Sequence, residues 1–155
     1  MPKIDESIEV AASPETIWAV LSDRENEFKF YPSLVWHQID PPGLAVLGQK
    51  AHSIGKVGGM KVETFTEIVE LEPNTKLVFR LKQGRILKSL AQTVTLEPTP
   101  RGTTVKDQAE YEVSMGYLGK ILRKLVLDRT IRKNFSVFLK SLKELAEFKE
   151  PAQTL

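Results

Sequence analysis

"LVLDRTIRKNF", residues 125–135, sits inside a helical pattern that decides how the rest of the chain is arranged. From Tyr117 to about Phe148 the apolar residues recur at helical spacing. Leu118, Ile121, Leu122 and Leu125 define one direction around that helix. Ile131, Phe135, Phe138, Leu139, Leu142 and Ala146 define a second, rotated by roughly 90–100°. Asp128 falls between the two directions and Arg132 at the border of both. A helix of this length would span about 48 Å, so a bend or break is expected between Tyr117 and Leu127. The two charges then have two readings. They escape to solvent or pair with each other at i,i+4, or they reach the interior that the helix covers.

Everything before this helix reads as strands, apart from one short helical section. "KIDESIEV" alternates Ile4, Glu6, Ile8 and Val10 against Asp5, Ser7 and Glu9. "SPETIWAVLSD" starts a helix with Ser13 as N-cap, Pro14 at the first position and Glu15 in the first turn. Ile17, Trp18 and Leu21 form its apolar side. "RENEFKFYP" reads as a second short helix or turn that Pro32 stops. "SLVWHQID" is a strand ended by "PPG". A section punctuated by Gly48, Gly55, Gly58 and Gly59 follows, marking turns, bulges or bends. Then come "KVETFTEIVELE", "KLVFRLKQG", "KSLAQTVTLEP" and "TTVKDQAEYEV", separated by Pro-Asn, Gly and "TPRG" turn signals. Short connections favour antiparallel pairing, and one long helix covers a single face of such a sheet. The fold class is therefore α+β, with a curved antiparallel sheet of about six or seven strands wrapped around the C-terminal helix. Residues 1–148 read as a single domain and 149–155 as a tail.

Composition sets outer limits. At 155 residues, with 41% hydrophobic and 27% charged residues, the chain is ordinary globular material. A net charge of +2 makes no general case for nucleic acid, and none is expected as a partner. Without cysteine there is no disulfide framework, zinc-thiolate site or thiol nucleophile. "MPKIDESIEV" has no apolar signal-peptide core and no run approaches a membrane span, so a cytoplasmic location is expected.

"SIEVAASPETIWAVLSD", "KVETFTEIVELEPNTKLVFRL", "TVTLEPTPRGTTVKDQAEYEV" and "LGKILRKLVL…LKSLKELAE" resemble the START-like, birch-pollen-allergen-like (SRPBCC) superfamily. Within it they are most similar to the polyketide cyclase/dehydrase and lipid transport group. The resemblance covers residues 3–147 in the right element order. It implies a helix-grip fold with a cavity between the sheet and the long helix. It also implies binding or transport of a hydrophobic small molecule or lipid there. A cyclase or dehydratase using the same cavity is the alternative. The quoted motifs are structural, and fold analogy alone names no reaction.

The hairpin around "EPTPRG" gives the interior its first residues. Pairing Leu96 with Thr103 sets Val94 opposite Val105, Gln92 opposite Asp107 and Leu90 opposite Ala109. Leu90, Gln92, Val94 and Leu96 then share the apolar face with Val105, Asp107, Ala109 and Tyr111. A slip of one residue would send Gln92 and Asp107 outward. An unpaired amide-like group in a dry core costs about 1–3 kcal/mol, so polar groups here imply pairing, hydration or a ligand. The expected ligand-binding set is Phe79, Leu81, Gln92, Val94, Asp107, Tyr111, Leu125, Asp128, Arg132 and Phe135. No catalytic residue is assigned outright; for an enzyme, Asp107 would act first and Tyr111 second. In "VETFTEIVEL" the inward set is open between Phe65, Val69, Leu71 and Val62, Thr64, Ile68.

His37 and His52, the only histidines, fall on different strands. No further ligands accompany them, so neither a metal nor a cofactor is expected. No nucleophile or orienting acid attaches to either in sequence. Trp36, Tyr31 and Tyr111 read as packing or cavity wall. "GKVGG" lacks nucleotide-loop spacing. Lys120, Arg123, Lys124, Arg129, Arg132 and Lys133 make part of the long helix basic. That is a solvated face, or one that meets an anionic membrane surface transiently. The loops around "GKVGG" and the start of the helix would gate entry.

Overall fold

Among the described residues seven strands pair in the order β1-β7-β6-β5-β4-β3-β2, every neighbour antiparallel, as the short connections favour for the hairpins between β2 and β7. They are β1 (Lys3–Val10), β2 (Leu34–Asp40), β3 (Lys50–Val57), β4 (Met60–Glu72), β5 (Lys76–Gly84), β6 (Leu87–Thr99) and β7 (Gly102–Val113). Helix α1 (Pro14–Leu21) and a 3₁₀ helix (Arg24–Lys29) carry the chain from one sheet edge to the other. Helix α2 (Tyr117–Lys149) packs across β1, β7 and α1. The protein is described by a computed structural model covering residues 3–29, 31, 33–57, 60–84, 87–113 and 117–150. For Phe28, Val57, Met60 and residues 117–125 it describes the backbone only. This is the helix-grip arrangement expected from the sequence.

Local chemistry sets the helix starts. Ser13 caps α1, its Oγ accepting from the Thr16 amide at 3.2 Å, with Pro14 in the first turn. Ile17, Val20 and Leu21 are buried, so α1 packs on a broader side than Ile17, Trp18 and Leu21 alone. Of the bend or break expected between Tyr117 and Leu127 there is no break: α2 runs through these residues as one helix. At about 1.5 Å per residue its 33 residues reach roughly 50 Å. The tail expected over 149–155 lies, beyond Glu150, outside the described residues.

The core has two parts. Ile17, Leu77, Val94, Leu96, Val105, Phe138, Leu139 and Leu142 anchor the larger one, toward the C-terminal half of α2. Ile4, Ala109, Tyr111, Leu127 and Phe135 form the smaller, toward its N-terminal half. The Gly-punctuated section contains a complete strand, β3, whose inward residues Ala51, Ser53 and Gly55 are too small to show an apolar alternation.

Two register findings refine the sequence reading. In β4 the inward set is Val62, Thr64 and Ile68 up to a bulge at Val69. Beyond the bulge Leu71 turns inward opposite Leu77. Both candidate sets are thus partly realised, one on each side of the bulge. In the β6–β7 hairpin Leu96 pairs with Val105, Val94 with Asp107 and Gln92 with Ala109. That is two residues from the expected pairing, and an even shift keeps every side chain on its expected face.

Candidate functional site

Between the two core clusters lies a belt of buried polar side chains drawn from the 3₁₀ helix, β2, β3, β6 and β7. Arg24 and Glu27 face inward three residues apart, with Arg24 Nη1 3.0 Å from Glu27 Oε1. The Arg24 guanidinium carbon lies 4.7 Å from the centre of the Phe79 ring, a cation–π position. His37 Nε2 stands 2.8 Å from the other Glu27 oxygen, Oε2. On the far side of the imidazole, His37 Nδ1 is 2.8 Å from Ser53 Oγ. Burial raises the affinity of Glu27 for its proton, but Arg24 and His37 more than offset it. The carboxyl is held below its usual range and stays ionised.

A second group adjoins the first. Gln92 Nε2 donates to Tyr31 Oη at 2.8 Å and to Asp107 Oδ1 at 2.9 Å. The Tyr31 ring stacks on Phe138 of α2, with centres 4.4 Å apart and planes 5° from parallel. Burial, with Asp107 and Glu27 nearby, raises the Tyr31 phenol well above its ordinary value. Asp107 is fully buried, and burial pushes its carboxyl up to about 8 despite the Gln92 hydrogen bond; Glu6 adds to the rise. Asp107 is therefore mostly protonated at neutral pH. Among the described residues its Oδ2 has no hydrogen-bond partner.

These groups border a cavity of about 160 Å³. Arg24, Glu27, His37, Ser53, Thr64, Thr66, Tyr31 and Gln92 give it hydrogen-bonding walls, and Leu34, Phe79, Leu81 and Leu90 give it apolar ones. A larger depression, about 940 Å³, is lined by Gln38, Asp40, Lys50, His52, Phe65, Glu67 and Lys82. Strand alternation puts those side chains on the outer face of the sheet, although Ala51 and Thr66 also border the depression and Thr66 lines the interior cavity as well. There Phe65 stacks on His52 at 4.1 Å and Trp36 meets His52 edge-on, so Trp36 is no part of the cavity wall. The interior cavity is the candidate site.

The expected site residues divide. Phe79, Leu81 and Gln92 line the cavity. Asp107 touches it only through Gln92, and Val94 is fully buried in the larger core cluster. Tyr111 and Phe135 pack in the smaller cluster. Asp128 is half-buried and accepts a hydrogen bond from Tyr111 Oη. Arg132 is exposed, 3.8 Å from Glu6 and hydrogen-bonded to the Lys3 carbonyl at 3.4 Å. The two charges thus engage the sheet, Asp128 within it and Arg132 at its β1 edge. The Leu125 side chain, those of Lys120, Arg123 and Lys124, Gly58 and Gly59, and residues 114–116 ahead of α2 lie outside the described residues. Arg129 and Lys133 are exposed.

The sequence reading left Arg24, Glu27 and Ser53 out, and attached no acid or hydroxyl to His37. Strand parity alone marks His37 as inward, because Gln38 and Asp40 alternate outward with it. Among the described residues no group of three His, Asp or Glu side chains is placed to hold a metal ion. No helix among them is long and apolar enough to cross a membrane.

Similar structures share this architecture. TTHA0849 from Thermus thermophilus superposes with a TM-score of 0.81 at 21% identity, over 94% of this chain and 97% of that one. The Zhui aromatase/cyclase from Streptomyces sp. R1128 gives 0.85 at 15% identity, over 99% and 98%. A START superfamily protein from Mycobacterium smegmatis gives 0.76 at 19% identity, over 94% and 97%. At such identities the likeness is one of fold. No curated protein matches the chain. The profile of the family described as polyketide cyclase / dehydrase and lipid transport matches residues 1–147. Matched over nearly its whole length, this chain belongs to the polyketide cyclase / dehydrase and lipid transport family.

Proposed function

We propose that the protein binds and carries a compact hydrophobic molecule that bears a hydroxyl or carbonyl group. The observation that supports this is the two-sided character of the cavity. Leu34, Phe79, Leu81 and Leu90 supply apolar contact, and Ser53, Thr64 and Gln92 supply polar atoms to orient one end. Volume sets the size of the guest. Drug-sized ligands occupy sites of about 300–1,000 Å³, whereas an apolar cavity of about 150 Å³ accommodates a benzene ring. At about 160 Å³ this cavity suits a single ring or a short branched chain rather than a fused polycycle. Binding is favoured over cyclase chemistry because Asp107 stands behind Gln92 and Tyr111 beneath α2, neither lining the cavity.

Calorimetry with a series from phenol and acetophenone to two- and three-ring ketones tests the size limit. Affinity is expected for the one-ring members and should fall steeply with the second ring. Leu90→Trp, which would fill the hollow, should abolish it. Tighter binding of the three-ring member, or unchanged binding in Leu90→Trp, would overturn the assignment. Native mass spectrometry of protein from its own host then identifies the natural guest.

A further inference from the structure

We infer that Ser53 is a nucleophile activated by His37, and that the cavity supports acyl transfer from small esters to water. The inference rests on the same cavity as the proposed ligand site and adds a reaction to it. Its basis is a linear array, Arg24–Glu27–His37–Ser53, with hydrogen bonds at its two ends and a 2.8 Å approach of Glu27 Oε2 to His37 Nε2 between them. Glu27 is anchored through Oε1 by Arg24 and offers Oε2 to the imidazole. Because two acceptors would repel at 2.8 Å, the tautomer this geometry favours is the one with its proton on Nε2, facing Glu27. Nδ1 is then an acceptor, and the Ser53 hydroxyl 2.8 Å away donates to it. Acid, imidazole and hydroxyl in this order form the constellation that activates serine nucleophiles, recognised by geometry rather than by sequence position.

The surroundings suit the step. Ser53 is half-buried and lines the cavity, while the His37 side chain is 3% exposed and the Glu27 side chain 8%. The base is thus shielded and the hydroxyl reachable. Thr64, directly across the ladder from Ser53, and Thr66 line the same cavity with hydroxyl donors. In the reaction Ser53 Oγ bonds to the ester carbonyl carbon and its proton passes to His37 Nδ1. The ester C–O bond then breaks and the alcohol departs with that proton. Water attacks the acyl-serine, giving a proton to Nδ1. The acid leaves as the Oγ–carbon bond breaks and the proton returns to Oγ.

p-Nitrophenyl acetate is the probe. The purified full chain is expected to release nitrophenol and to carry a transient acetyl group on Ser53, located by peptide mass mapping after an acid quench. Ser53→Ala and His37→Gln should each lower the rate by at least about a hundredfold, at the low end for a lost base. An unmodified Ser53, or hydrolysis at wild-type rate in Ser53→Ala, would overturn the inference. Mapping needs only the wild-type chain, so it decides even where a variant fails to fold. Phenol binding is measured on the same sample. Phenol bound without acetylation removes the reaction and keeps the ligand site; neither phenol nor acetyl bound removes both.

Discussion

Gln92 donates to Asp107 across the β6–β7 ladder at 2.9 Å although the two are not opposite each other, Gln92 facing Ala109 and Asp107 facing Val94. The contact is diagonal, and it is formed between side chains on the inward face. Asp107 has its affinity for a proton raised to about 8 by burial, far above an unfolded carboxyl near 3.8. The folded state therefore holds a proton that the unfolded state loses across that window. Stability is fully present below about pH 4 and falls as the pH rises toward 8, by up to about 1.4 kcal/mol per unit. Asp107→Asn keeps the shape and removes this slope. Urea unfolding from pH 4 to 8 should show the variant gaining on the wild type as pH rises; a constant difference would contradict the assignment.

Tyr111 gives a second test. Its hydroxyl donates to Asp128, and burial together with that carboxylate holds the phenol above its ordinary range. Tyr111→Phe leaves the half-buried Asp128 without this donor and should cost about 1–3 kcal/mol. Tyr111→Phe with Asp128→Leu, which removes both partners, should cost less than the two single changes added together. A double-mutant cycle in denaturant measures the coupling, and additivity would show that the bond contributes nothing.

What was legible in the sequence was local or periodic. The Ser13 cap, the β6–β7 hairpin and the α2 stripe from Phe135 to Ala146 depend on neighbours a few residues apart. The hollow was not legible in the residues themselves. It is bordered by small inward side chains, such as Ser53, Thr64 and Thr66, and small residues weaken the alternation that reveals a strand. That is why β3 left so faint a signal. The bulge at Val69 blurred β4 by reversing its parity within one strand. The Arg24–Glu27–His37–Ser53 array joins a 3₁₀ helix to two strands, and no spacing rule links those positions.

Gly102, the first residue of β7, carries a backbone requirement. Its φ is +149°, and a Cβ there would lie 2.1 Å from the Val10 carbonyl oxygen. The obstruction is main chain, so no rotamer relieves it. Gly102→Ala should destabilise by at least about 2 kcal/mol and loosen the β1–β7 pairing. Hydrogen exchange should show lost protection at Ile8 and Val10 first. Unchanged melting would mean the chain at Gly102 does not approach Val10 so closely.

Arg24 is 3% exposed, and its charge is matched by Glu27 at 3.0 Å and by the Phe79 ring face. Glu27→Gln leaves that cation buried with only a neutral partner and takes from His37 its anionic neighbour. Breaking a buried pair on one side typically costs about 3–5 kcal/mol, whereas replacing both partners with apolar groups is often close to neutral. Glu27→Gln should therefore be far less stable than wild type, and Arg24→Met/Glu27→Leu should recover much of the loss. The pH dependence runs opposite to that of Asp107. Glu27 is held below the usual carboxyl range, so its contribution is present above that range and lost as acid protonates it. Wild type and Glu27→Gln should accordingly converge in stability on acidification. Denaturant midpoints followed from pH 7 downward through and below the ordinary carboxyl range measure both effects, and a gap that never narrows would assign the stabilisation to packing rather than charge.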